Sequence, residues 1–98
     1  MQVRLLSKAK NDLITEARFY EEKQTGLGDY FLSTLYADID SLVFYAGIHM
    51  KQYGFYRLLA TKFSCAIYYD IIDNIAVVSA VLDTRRDPKW IKEKLNEN

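Results

Sequence analysis

The chain is expected to fold as one α+β domain spanning residues 1–98. Its predicted parts are an N-terminal strand, an antiparallel two-helix hairpin packed on a three- to four-stranded antiparallel sheet, and a short C-terminal helix. Three observations carry this expectation. In the first half, apolar residues recur at helical spacing, with Ala9, Leu13, Ala17 and Tyr20 followed by Phe31, Leu35, Ile39 and Leu42. In the second half, runs rich in Val, Ile and Tyr alternate as strands do, and Asp73-Asn74 separates two of them as a hairpin turn. Pro88 then follows the last run and is suited to open a helix.

In chain order, Gln2–Leu6 reads as a short strand, and the Ser7 hydroxyl is placed to cap the helix that follows. That helix should end near Gln24-Thr25, where Gly26 supplies a left-handed cap. A second helix should begin near Asp29 and finish before Gly47. So short a join forces the two helices to pack antiparallel. Residues 48–53 lose the pattern and read as a loop. Strands are predicted over 54–60, 65–72 and 75–83. In the second of these, Cys65, Ile67, Tyr69 and Ile71 should face the helices, with Ala66, Tyr68, Asp70 and Ile72 on the other side. In the third, Val77, Ser79 and Val81 alternate with Val78, Ala80 and Leu82, so both faces are apolar. A terminal helix is expected over 88–95. Two helices cover one sheet face and leave the other open, unless the terminal helix or a partner folds over it.

Half of the 98 residues are hydrophobic, enough for one core without covalent staples. Cys65 is the single cysteine, so no intrachain disulfide can form. That suits a reducing cytoplasm, where the protein is expected, with no secretory leader and no membrane span. Thirteen basic and thirteen acidic residues cancel, which argues against a protein whose main task is gripping nucleic-acid backbone. Residues 1–50 hold five Lys/Arg against seven Asp/Glu, and residues 51–98 hold eight against six. A solvated surface explains that mild asymmetry. No metal or cofactor site is expected: His49 is the only histidine, which leaves a histidine-rich metal site and a Ser-His-Asp triad without material. Gly26-Leu27-Gly28 lies between helices, the wrong context for dinucleotide binding.

Five residues stand out. Arg57 lies within a strand, so it must reach a carboxylate, with Asp70 or Asp83 as candidates, or a phosphate, or water. Tyr68 lies on a strand face near it. Arg85 and Arg86 stand where the last strand stops, with Asp83 and Asp87 as possible partners, and Trp90 follows closely.

This constellation, Arg57 in a tyrosine-rich strand, the Tyr68-Tyr69 pair and the Arg85-Arg86-Asp87-Pro88 corner, resembles toxin subunits of bacterial toxin–antitoxin operons. The superfamily includes the gyrase-poisoning ParE toxins and the messenger-cleaving RelE toxins, and the resemblance runs from Ser7 to about Trp90. It implies a RelE/ParE-like fold, a cognate antitoxin as partner, gyrase or the ribosome as target, and self-association as a possible homodimer. Arg57, Tyr68, Arg85, Arg86 and Trp90 are then the candidates for contact with target or antitoxin. Metal-free ribonucleases of the superfamily need several positive groups at the scissile phosphate. Here Arg57 and Arg86 occupy two such positions, while Ala66 and Leu59 occupy two others. That incomplete set favours a ParE-like inhibitor without chemistry of its own over a RelE-like ribonuclease using Arg57 and Arg86. A degenerate module that only binds an antitoxin or itself is the remaining alternative.

Overall fold

The computed structural model describes residues 1–97. Its elements are β1 (Gln2–Leu5), α1 (Ser7–Lys23), α2 (Leu27–Asp40), the single turn α3 (Leu42–Tyr45), β2 (Lys51–Gln52), β3 (Phe55–Leu59), β4 (Cys65–Ile72), β5 (Ile75–Asp83) and α4 (Pro88–Leu95). This is the expected α+β architecture, with a fuller sheet. Five strands rather than three or four lie in the order β1-β5-β4-β3-β2. β1 runs parallel to β5, so the sheet is not wholly antiparallel. β2 falls inside the stretch expected to be loop, and the turn that joins it to β3 is Tyr53-Gly54, both with positive φ (56° and 87°). Asp73 (φ 50°) and Asn74 (φ 62°) form the predicted two-residue turn between β4 and β5.

The helical stripes pack on one face of the sheet. Ala9, Leu13, Ala17, Phe31, Leu35, Ile39 and Leu42 are buried against Cys65, Ile67, Tyr69, Ala76, Val78 and Val81. The Ser7 cap is not formed: the helix starts at Ser7 itself, Leu6 stands at the cap position, and no side chain closes it. A different side chain ties α1 to the sheet. β1 makes its last bond to β5 where Leu6 N–H donates to Val78 O at 3.0 Å. Further along β5, the Val81 N–H donates to the Asp12 carboxylate at 3.0 Å. A helix carboxylate thus takes the place of the missing strand, and burial raises the Asp12 pKa. Where the hairpin turns, the Glu21 carboxylate accepts from Gly26 N–H (3.0 Å) and Gly28 N–H (3.0 Å), satisfying donors at the start of α2.

The alternation expected for β5 breaks once. Tyr68 pairs with Ala80 and Tyr69 with Val78, so Ser79 is an extra residue, a β-bulge. Val78 and Val81 therefore share the hairpin side, while Ala80 and Leu82 share the other. That other face is not open. α4 lies over it, and Ile91 and Leu95 form a second core with Ala66, Tyr68, Ala80 and Leu82, flanked by Tyr53, Phe55 and Trp90. The sequence accounts for the helix locally: Pro88 stands in its first turn, and the Asp87 carboxylate caps it by accepting from Lys89 N–H at 2.8 Å. The Lys8 ammonium, on α1, donates to the Lys94 carbonyl at the far end.

Candidate functional site

Four of the five candidate residues belong to the face that α4 covers, in two separate groups. The first is Arg57 with Tyr68. They are directly opposite across β3 and β4, and the Arg57 Nε–H donates to the Tyr68 hydroxyl at 3.3 Å. Of the partners open to Arg57, neither Asp70 nor Asp83 forms an ion pair with it. The ion pairs among the described residues are Arg85–Asp83 and Lys94–Glu97. Tyr68 is wholly buried beneath α4, so a partner reaches its ring only if α4 moves. The Arg57 guanidinium is thus held at the sheet by the Tyr68 hydroxyl, and it joins no ion pair among the described residues.

The second group is Arg86 with Trp90. The Arg86 guanidinium lies 3.8 Å from the centre of the Trp90 indole, and the Lys94 ammonium approaches the same ring at 5.7 Å. Arg86 pairs with neither Asp83 nor Asp87. A planar cation on an aromatic face remains free at its edges to donate to a phosphate or carboxylate. Arg86 is exposed while Trp90 is half-buried, so the stack forms a cationic shelf at the start of α4. Arg57 lies level with Tyr68, whereas Arg86 follows the sheet's other end, where Asp83 pairs with Cys65. No hydrogen bond links the two groups.

Arg85 stands apart. Its Nε–H and one terminal amino group donate to Asp83 (3.1 and 2.8 Å), and its backbone N–H adds a third bond at 2.8 Å. The Arg85 hydrogen bond holds the Asp83 carboxyl below the usual range. Beside this pair, burial and then the Asp83 charge push Glu16 upward. Burial pushes the Cys65 thiol up to about 12, so it carries almost no thiolate at neutral pH. Among the described residues, no group of three or more His, Cys, Asp or Glu is placed to hold a metal ion, and no helix is long and apolar enough to cross a membrane.

His49, taken from the sequence as a loop residue, has a partner that local pattern could not reveal. Tyr69 accepts from Gly47 N–H at 2.9 Å, and its hydroxyl meets His49 Nδ1. With neutral His49 the hydroxyl donates and Nδ1 accepts. Desolvation lowers the His49 pKa below 6.5, so the unfolded chain takes up this proton before the folded one does. The stabilisation is complete above the unfolded pKa and is lost as pH falls from about 6.5 towards the lower folded value. Melting temperature should therefore drop between pH 7.5 and 5.5, and His49→Gln, which keeps an acceptor but cannot protonate, should flatten that drop. An equal pH slope in the variant counts against the arrangement.

A mixed sheet carries a helical hairpin on one face and a C-terminal helix on the other. The same arrangement is found among solved structures. A chain of the chromosomal ParDE TA system from P. aeruginosa superposes with a TM-score of 0.73, covering 87% of this chain and 97% of its own, at 13% identity. The likeness at that identity is one of fold, and the fold is ParE-like. No family model and no curated protein matches the chain.

Proposed function

We propose that this protein is the toxin of a bacterial toxin–antitoxin pair, ParE-like in action, which inhibits a cytoplasmic host target and is held inactive by a cognate antitoxin. By resemblance the target is DNA gyrase. The observation that supports this most is the superposition on nearly the whole length of a ParDE-system chain. Fold alone does not carry function, so the site has to be weighed as well. Ala66 is wholly buried and Leu59 is apolar, so two positions that a ribonuclease would fill with cations offer none. The cations present, Arg57 and the Arg86–Trp90 shelf, are suited to binding rather than to moving protons. The outer surface of the helical hairpin, with Ile14, Phe19, Tyr30 and Tyr36 exposed, is apolar enough to take an antitoxin, or a second copy of the chain in its absence.

The test is inhibition of supercoiling by purified gyrase, run beside mapping of messenger cuts on translating ribosomes. Inhibition without cuts is expected, and codon-positioned cuts would make this a RelE-like ribonuclease instead. Arg86→Ala sharpens the test. An exposed cation–π stack is worth about 0.5–1 kcal/mol, so the variant should fold and melt within a few degrees of wild type. It should nevertheless lose growth inhibition in cells without antitoxin, at equal expression. Arg85→Ala, which releases only the Asp83 pair, is the control and should remain toxic. Full toxicity of Arg86→Ala removes this corner from the site.

A further inference from the structure

We propose that the surface around α3 is a self-association site, through which two copies of this chain pair about a two-fold axis. Its centre is the segment 41–50, which contains no aspartate, glutamate, lysine or arginine. The four most exposed large apolar side chains among the described residues all belong to it: Met50 (86%), Phe44 (83%), Ile48 (73%) and Tyr45 (56%). Val43 adds a fifth at 40%. The backbone turns within the segment and gathers these side chains. Ile48 N–H donates to Tyr45 O at 3.3 Å, closing a turn through Gly47 (φ 95°). The Phe44 and Tyr45 rings lie edge to face, with centres 6.5 Å apart.

The patch is anchored from below. Leu42 is wholly buried, Gly47 N–H and His49 Nδ1 both bond to the Tyr69 hydroxyl, and Met50 O accepts from Arg57 N–H at 3.0 Å. Apolar groups on an anchored backbone lose little further freedom when a partner covers them. Size and charge then choose the partner. At about 180 Å² for each large side chain, the five expose about 600 Å². Single exposed apolar residues are ordinary, but a patch of that size marks an interface. With a polar rim it reaches the roughly 800 Å² per partner that a stable complex buries. The patch has no cations to grip nucleic acid or a lipid headgroup, and no charge to repel its own copy. Its ends carry opposite charges, Asp40 before it and Lys51 after it, both exposed. The Lys51 ammonium is placed over the Tyr56 ring, 4.7 Å from its centre. A two-fold axis through the patch reverses one segment against the other, so Asp40 of one copy faces Lys51 of the second. The surface is complementary to itself.

This inference places the second copy at α3 rather than on the helical hairpin, and it does not rest on toxicity, which growth inhibition decides separately. The test is sedimentation equilibrium on the full chain from about 1 to 200 μM, where a monomer–dimer equilibrium is expected. Phe44→Asp, at so exposed a position, gives up no core contact and should melt as wild type does. It sets a carboxylate in an interface with no cation to meet it, and should weaken the dimer at least about 100-fold. Phe19→Asp, on the hairpin, should leave the dimer unchanged. Lys51→Glu should weaken it about tenfold by facing Asp40, and adding Asp40→Lys should restore it. Damage to the fold would give no such rescue. A chain that stays monomeric at the highest concentration overturns the proposal. So does a Phe44→Asp dimer of undiminished affinity, dissociation by Phe19→Asp instead, or a charge exchange that fails to rescue.

Discussion

Ala66→Arg is expected to release α4 from the sheet while the rest of the domain stays folded. Ala66 is wholly buried between Leu59 and Leu82 on the face that Ile91 and Leu95 cover. A guanidinium there meets no carboxylate, and an unpaired buried charge costs several kcal/mol even after relaxation. Against that stands the attachment of α4. Burying Ile91 and Leu95 contributes about 1.5–3 kcal/mol each, before the entropy of ordering the helix is subtracted. Undocking the helix is therefore the smaller cost, and the protein takes it. Trp90 is the only tryptophan and rides on α4, so its fluorescence should shift to that of a solvated indole. Hydrogen exchange should accelerate from Pro88 to Leu95 and remain slow in β4 and β5. Ala66→Val, too small to dislodge the helix, should show neither change. A native Trp90 spectrum with protected α4 amides in Ala66→Arg would mean that this face has room for a long side chain.

Position 66 also shows how far the sequence could be read. Strand alternation placed Ala66 and Tyr68 on the face away from the hairpin, and they are there. Whether that face was open depended on where α4 lies, a contact between distant segments that no local pattern records. Elements whose cause is local were legible: the two helical stripes, the Asp73-Asn74 turn, and Pro88 with its Asp87 cap. β2 was missed because two residues cannot display a period, although the Gly54 that closes its turn was visible. The bulge at Ser79 was missed for a different reason. A strand apolar on both faces gives alternation no phase to lose. In the site, Arg85 found Asp83, one of its two foreseen carboxylates. Arg86 took the indole four residues on rather than a carboxylate, because the strand's end and the first turn of α4 bring Trp90 beneath it. His49 bonds to a tyrosine on a distant strand, which no spacing rule could anticipate.

Gly28→Val should strongly destabilise the helical hairpin, and Gly28→Ala should be a milder form of the same change. A Cβ at position 28 would lie 2.7 Å from the Ala17 carbonyl oxygen and 3.1 Å from the Glu21 Cβ. Two effects oppose each other. Alanine within a helix is worth about 0.8–1 kcal/mol more than glycine. Overpacking a tight contact costs about 1–3 kcal/mol, and here the nearest atom is helix backbone, which cannot swing aside as a side-chain end can. Separating the helices also pulls the Glu21 carboxylate from the Gly26 and Gly28 amides that it satisfies. The contact therefore outweighs propensity. Gly28→Ala should lower stability by about 1–2 kcal/mol, and Gly28→Val, larger and β-branched, by about 3 kcal/mol. Gly26 separates this cause from backbone strain. It has open space around it but a φ of 90°, so Gly26→Asn, which tolerates that conformation, should cost less than Gly28→Ala. Urea unfolding of the three variants with a common m-value gives the order directly. A Gly28→Ala protein more stable than wild type would show that the helices do not approach as closely as this contact requires.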